Sequence, residues 1–167
     1  NEVRRGMAER WVDRAANQGK GGGAFSSGRY GTEPFISMTY QDTLTSVSTL
    51  THEIGHSMHS WLTWQSQPIA YQGYGMSAAE TASNFNQALM GAHMLAECGD
   101  RDWTIAVIEE RMANNMRYLF TMPILARFEL AAHERVEAGD ALSADWMSKT
   151  LLAFYQEGYG DEVEVDA

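Results

Sequence analysis

The stretch Thr51-His52-Glu53-Ile54-Gly55-His56-Ser57 constrains this chain more than any other. It contains an H-E-x-x-H string, and the chemistry that spacing suits requires a helix. On an α-helix each residue advances about 100°, so His52 and His56 return to nearly the same face one turn apart. Two imidazoles placed that way can share one Zn²⁺ at about 2.0–2.1 Å. Glu53 projects to the side of the pair, where it can accept a proton from an attacking water rather than ligate a metal. Val47, Leu50, Ile54 and Met58 form an apolar stripe at helical spacing, which puts the string on a helix. A catalytic zinc ion normally keeps three protein ligands and one open position, so a third ligand must come from elsewhere. The best-placed candidate is Glu80, on a stretch from about Ser77 to Glu97 that reads as a second helix returning past the first. Phe85, Leu89 and Leu95 are its expected inward residues.

The flanks fit the same picture. Pro34-Phe35-Ile36-Ser37-Met38-Thr39-Tyr40 is strand-like, and Ala24 to Gly31 leads into it by a turn, so the two can form a hairpin. Thr43 or Asp42 would cap the motif helix and Gln67-Pro68 would stop it. A strand, a helix bearing H-E-x-x-H and a helix bearing a glutamate make up the layout of a zinc peptidase whose strand can pair with an extended peptide. Upstream, Val3, Met7, Trp11 and Ala15 recur four apart and predict an opening amphipathic helix. It gives way at Gly19-Lys20-Gly21-Gly22-Gly23, where four glycines in five positions suit a flexible connector or a substrate-side loop; Gly22 and Gly23 would then admit a substrate backbone closely. Tyr71 and Tyr74 lie in a glycine-bearing loop just before Glu80, from which they could donate to a substrate carbonyl, with ordinary loop packing as the alternative.

The remainder reads as helical. Asp102 would cap a third helix interrupted or restarted at Pro123 and closed by Gly139, and Ser143 would cap a last one ending near Gly158. The fold class is therefore mainly α with a small β-hairpin or sheet, in a single domain over residues 1–167 with a loose acidic tail. A net charge of -10 argues against nucleic acid or an anionic membrane as a partner. No apolar run reaches the length of a membrane span. Cys98 is the only cysteine, which excludes an intrachain disulfide and a zinc ribbon and fits a reducing, cytoplasmic location. His59 shares the motif face, but three ligands spread over two turns of one straight helix, about 10 Å, cannot converge on one small ion. His93 and His133 read as structural.

With these residues in view, the chain resembles oligoendopeptidase F and its relatives, the thimet-oligopeptidase-like zinc peptidases. The likeness is closest over Gly28-Arg29-Tyr30-Gly31-Thr32-Glu33-Pro34-Phe35-Ile36, over Thr49 to Ser60 with its extended H-E-x-G-H-S-x-H-S string, and over Ala79 to Asn86. The resemblance implies a zincin-like, mostly helical catalytic core with His52, His56 and Glu80 as zinc ligands and Glu53 as general base. It implies one Zn²⁺ per chain and short, unfolded peptides as substrates. In two respects the chain departs from the family pattern. A helical part that precedes this region in the family, and a downstream segment bearing a histidine and tyrosines, are both absent from the 167 residues. The expectation is thus a metal-binding core cut at both ends from a larger peptidase, with the rest of the parent chain packing on it. Gln87 also stands where relatives often carry glutamate. The leading reading is a zinc-dependent endopeptidase; the alternative is a non-catalytic helical domain that binds zinc or peptide.

Overall fold

The structure, a computed structural model, describes residues 2–97 and 99–164; Cys98 and the end of the acidic tail, 165–167, lie outside them. The chain forms two compact units, Asn1–Glu110 and Arg111–Ala167. It is mostly helical with a small three-stranded sheet.

The first unit opens with α1 (Glu2–Ala8), shorter than the four-residue repeat predicted. The helix ends because Arg10 takes a left-handed conformation (φ 63°), after which Trp11 folds back over α1. A Cβ on Gly6 would lie 2.5 Å from the Trp11 ring, so only glycine admits the indole there. Trp11 then accepts a hydrogen bond from the Ile36 N–H and leads into β1 (Val12–Asp13). This two-residue strand has no signal of its own in the sequence. β2 (Ala24–Ser27) and β3 (Phe35–Met38) form the expected hairpin. β3 is central: β1 lies parallel to it with Val12 opposite Ile36, and β2 antiparallel with Ser26 opposite Ile36. Period-two alternation buries Ile36 and Met38 and exposes Phe35.

The motif helix α2 spans Leu44–Ser66. Thr43 caps it by accepting from the Ser46 N–H, and the chain turns extended at Gln67, just before Pro68. A short 3₁₀ turn (Ile69–Tyr71) leads to α3 (Met76–Glu97). The residues of α2 that are fully buried are mostly small or polar: Ser46, Ser48, Thr51, Glu53, Gly55 and Ser57, with Trp64. The apolar stripe is only half-buried; Ile54 and Met58 line a small apolar cavity with Val3, Met7, Trp11 and Ile36. On α3 the buried residues are Ala79, Ser83 and Gly91. Phe85 and Leu89, expected inside, are 63% and 52% exposed. The inward face of α3 is its small-residue face, because the α2 backbone comes too close for large side chains.

α4 (Arg101–Met116) follows and runs past the boundary between the units. Its cap is Asp100 rather than Asp102: the Asp100 carboxylate accepts from the Asp102 N–H. In the second unit one π-helical turn (Arg117–Thr121) joins α4 to α5 (Met122–Glu137). Pro123 lacks the N–H that a regular helix needs there, and the Met122 N–H reaches the Arg117 carbonyl instead. Gly139 (φ 89°) ends α5, and Ser143 caps α6 (Ala144–Tyr159) by accepting from the Trp146 N–H. Phe128 stacks on Trp146, and Arg127 and Arg135 lie over the rings of Phe154 and Trp146.

Candidate metal centre

Close approach of α2 and α3 is what assembles the site. A Cβ on Gly55, between the two motif histidines, would fall 2.6 Å from the Ser83 Cα and 3.0 Å from the Ala82 carbonyl. Ser83 is completely buried, and the Asn86 side-chain amide donates to the Thr51 carbonyl at 2.7 Å. With the backbones locked at that distance, one turn of each helix faces the other.

His52, His56 and Glu80 converge there: their ligand atoms all lie within 4.8 Å of one another, the one such group of metal-ligand type among the described residues. The two Nε2 atoms are 3.2 Å apart, His52 Nε2 is 3.3 Å from Glu80 Oε2, and His56 Nε2 is 3.6 Å from Glu80 Oε1. Ligands bound tetrahedrally at about 2.0–2.1 Å are separated by about 3.3 Å, so these three spacings suit a single small ion. The donor set, two imidazoles and a carboxylate, suits zinc.

Each donor is held from behind. His52 Nδ1 is 3.1 Å from Gln87 Oε1, and Gln87 Nε2 in turn donates to Ser48 Oγ and, at 3.3 Å, to Glu110 Oε1. His56 hydrogen-bonds the Ala79 backbone carbonyl. Ser83 Oγ lies 3.1 Å from Glu80 Oε2. Such outer partners fix ring orientation and leave Nε2 facing inward. Burial, then the neighbouring His52, hold His56 below the ordinary imidazole range.

Glu53 is 6% exposed and outside the ligand group. Burial raises its carboxyl above the ordinary range, against the opposing pull of His52; Glu80 adds to the rise, and a hydrogen bond from the Ser26 backbone N–H opposes it. That bond places the carboxylate at β2, an outer strand of the sheet. Ser26 Oγ also meets Ser57 Oγ at 2.8 Å, tying β2 to α2.

The other predicted residues divide. The ring of His59 stacks on Tyr74 at 4.1 Å, and its buried Nδ1 has no hydrogen-bond partner among the described residues. Tyr74 also hydrogen-bonds Ser60 and lines an open pocket of about 610 Å³ with Tyr30, Trp64 and Arg29. Tyr71 is 69% exposed. Gly22 and Gly23 have open space where a Cβ would stand, so no other segment of the described residues crowds them. His93 is exposed, and His133, also exposed, lies 4.0 Å from Glu129 on its own helix. The link from Gln87 to Ser48 and Glu110 is not apparent in the sequence. The placing of Gln87 seven residues after Glu80, two turns on and on the same face, is the signal that points to it.

Residues 1–167 match the profile of peptidase family M3. The chain is 32% identical over 164 residues to oligopeptidase PepF of Bacillus subtilis, covering 98% of this chain and 24% of that protein. It is 34% identical over 158 residues to group B oligopeptidase PepB of Streptococcus agalactiae, covering 95% of this chain and 26% of that one. The chain thus spans about a quarter of the length of these relatives. A crystal structure of a Chlamydophila abortus peptidase superposes with a TM-score of 0.77 at 32% identity, over 99% of this chain and 28% of that one.

Proposed function

The chain belongs to peptidase family M3, and on that premise we propose that it is the metal-holding core of a zinc-dependent endopeptidase that cleaves short oligopeptides. The observation that carries this reading is the set of three donor spacings among His52, His56 and Glu80, each close to the edge of a zinc tetrahedron. Those three residues are the ligands of one Zn²⁺, and Glu53 is the general base. Zinc, when bound, supplies a Lewis acid that polarises the scissile carbonyl and makes water a better nucleophile.

The chain's own residues do the rest. Glu53 accepts the proton of the attacking water and later delivers it to the leaving amine. Its burial suits that task, since a carboxyl raised toward neutral pH holds a proton long enough to pass it on. An extended peptide adds to the outer edge of β2, with Ser26 holding Glu53 at that edge. Gly22 and Gly23 lead into this strand and leave room for the peptide, while Tyr74 and, from the exposed loop, Tyr71 reach substrate side chains or carbonyls. The large apolar residues left exposed, such as Leu130 and Val136, are covered by the remainder of a longer parent chain. No helix of the described residues is long and apolar enough to cross a membrane, and we assign the enzyme to the cytoplasm.

The test is Glu53→Gln in the complete enzyme. One zinc per chain should remain by elemental analysis while hydrolysis of a short quenched peptide falls by about 10²- to 10⁴-fold. His52→Ala or His56→Ala should lose the metal. Zinc binding without hydrolysis by the unaltered complete protein would favour the non-catalytic alternative, and absence of zinc would overturn the reading.

A further inference from the structure

We propose that Glu110 sets the tautomer of His52 through the side-chain amide of Gln87, and so acts as a remote positioning residue for the metal site. The proposal rests on reading His52 as a ligand through Nε2. A neutral imidazole carries one proton, and Nε2 can face a metal only when that proton sits on Nδ1. Nδ1 must therefore meet an acceptor. Its partner is the Gln87 amide, 3.1 Å away, and an amide can present either its oxygen or its NH₂. Its shape is the same both ways round, so packing cannot choose between them.

The other contacts of Gln87 make the choice. Ser48 Oγ can donate or accept, so it is indifferent. Glu110 is not indifferent, because a carboxylate only accepts. Glu110 Oε1 lies 3.3 Å from Gln87 Nε2, which fixes the NH₂ on that side and turns Oε1 toward His52. Were the amide reversed, its oxygen would oppose the carboxylate. Its NH₂ would then face Nδ1, which would drive the imidazole proton to Nε2. There the proton would point at Glu80 and His56, 3.3 and 3.2 Å away, and occupy the lone pair a metal needs.

The two motif histidines are thus fixed differently. His56 donates to a backbone carbonyl, an acceptor in every state of the protein. His52 depends on a two-step chain whose polarity is set at Glu110, 23 residues along from Gln87 and outside the ligand group.

The experiment reads the tautomer directly. Metal-stripped complete protein with ¹⁵N-labelled histidine is examined by magic-angle-spinning NMR, where protonated and unprotonated ring nitrogens have distinct shifts; His52 is assigned by its loss in His52→Ala. Glu80, an acceptor 3.3 Å from Nε2, favours the Nε2–H form in the metal-free site, so the readout is a shift. The unaltered protein should hold more of its His52 as Nδ1–H than Glu110→Gln does. Glu110→Gln should populate the Nε2–H form further and weaken zinc binding, read by competition with a chelator, by about 10- to 100-fold. Gln87→Glu places an obligate acceptor directly on Nδ1, so adding it to Glu110→Gln should restore the Nδ1–H form. An unchanged tautomer in Glu110→Gln overturns the proposal, including the case where zinc affinity falls all the same. Because the tautomer is read without metal, the result stands even if His52→Ala leaves zinc affinity unchanged and the ligand reading fails.

Discussion

The pair α2–α3 and the pair α5–α6 are both helical hairpins, yet they are built on opposite principles. α2 and α3 meet through Ser48, Thr51, Gly55, Ala79 and Ser83, with hydrogen bonds in the seam. α5 and α6 meet through rings and long side chains: Phe128 on Trp146, Arg127 over Phe154, and a bidentate Arg127–Glu157 pair. Of these two hairpins, only α2–α3 brings three metal-ligand side chains within 4.8 Å of one another. Small residues bury little apolar area, so the first pair is poorly stabilised by the hydrophobic effect. In exchange the helix axes come close enough for a glutamate on one to reach two histidines on the other. In the second pair the groups that meet are larger, and a Cβ on Gly158 would meet the Ile124 side chain rather than backbone.

The sharpest way to break this contrast is to make one substitution in both hairpins. Gly55→Ala puts a Cβ 2.6 Å from the Ser83 Cα, an atom that cannot move alone. We expect a loss of about 2–3 kcal/mol in urea unfolding, the usual cost of overpacking, with weaker zinc binding as α3 and Glu80 are pushed away. Gly158→Ala meets only the tip of Ile124 at 3.0 Å. Helix propensity favours alanine there by about 1 kcal/mol, so the change should be near neutral or slightly stabilising. Equal destabilisation at both sites would mean that close approach is not special to the pair that carries the candidate metal ligands.

That seam also explains what could and could not be read from the sequence. Thr43, Gln67-Pro68, Gly139 and Ser143 announced helix ends because capping and breaking are local chemistry. The convergence of His52, His56 and Glu80 followed from helical spacing and a short return. The inward face of α3 did not follow. Periodicity identifies a helix and favours its most apolar side, but here Phe85 and Leu89 point out because the site needs Ala79 and Ser83 in. β1 was invisible because its two residues pair with a strand more than twenty positions away. The turn at Arg10 was hidden because it is set by Trp11 finding room over Gly6.

A second test sharpens the contrast through pH, with smaller effects. In metal-free protein His56 is held below the ordinary imidazole value of about 6.5, mainly by burial. Between that lowered value and about 6.5 the unfolded chain binds more protons than the folded one, so stability is full above the window and lost as pH falls through it. Glu53 works the other way: its raised carboxyl favours the folded state at low pH, and that contribution is lost as pH rises above about 4.3 toward the raised value. In the α5–α6 hairpin, Glu157 is lowered by its bond to Arg127, so its contribution persists until pH falls below about 4.3. His56→Gln should therefore flatten the loss of urea stability as pH falls below about 6.5. An unchanged profile would show that His56 is not the group lost on acidification.

The smallest effect is expected at Arg127, the most conspicuous polar contact of the second hairpin. Its guanidinium holds both Glu157 oxygens, at 3.1 and 2.8 Å, and lies 4.4 Å from the Phe154 ring centroid. Both charged partners are well exposed, however, so water and salt screen the attraction and holding two long side chains in place opposes it. Arg127→Gln should lower the melting temperature only slightly, and the difference should shrink between low salt and 1 M, where the screening length falls to about 3 Å. Arg127→Lys separates the two contributions, since lysine keeps the charge but loses the planar fork and its stacking on Phe154. A drop as large as that of Gly55→Ala, unaffected by salt and reproduced by lysine, would show that the flat guanidinium is packed as part of the α5–α6 seam. The second hairpin would then depend on close fit as much as the first, and the contrast between them would rest on the size of the groups alone.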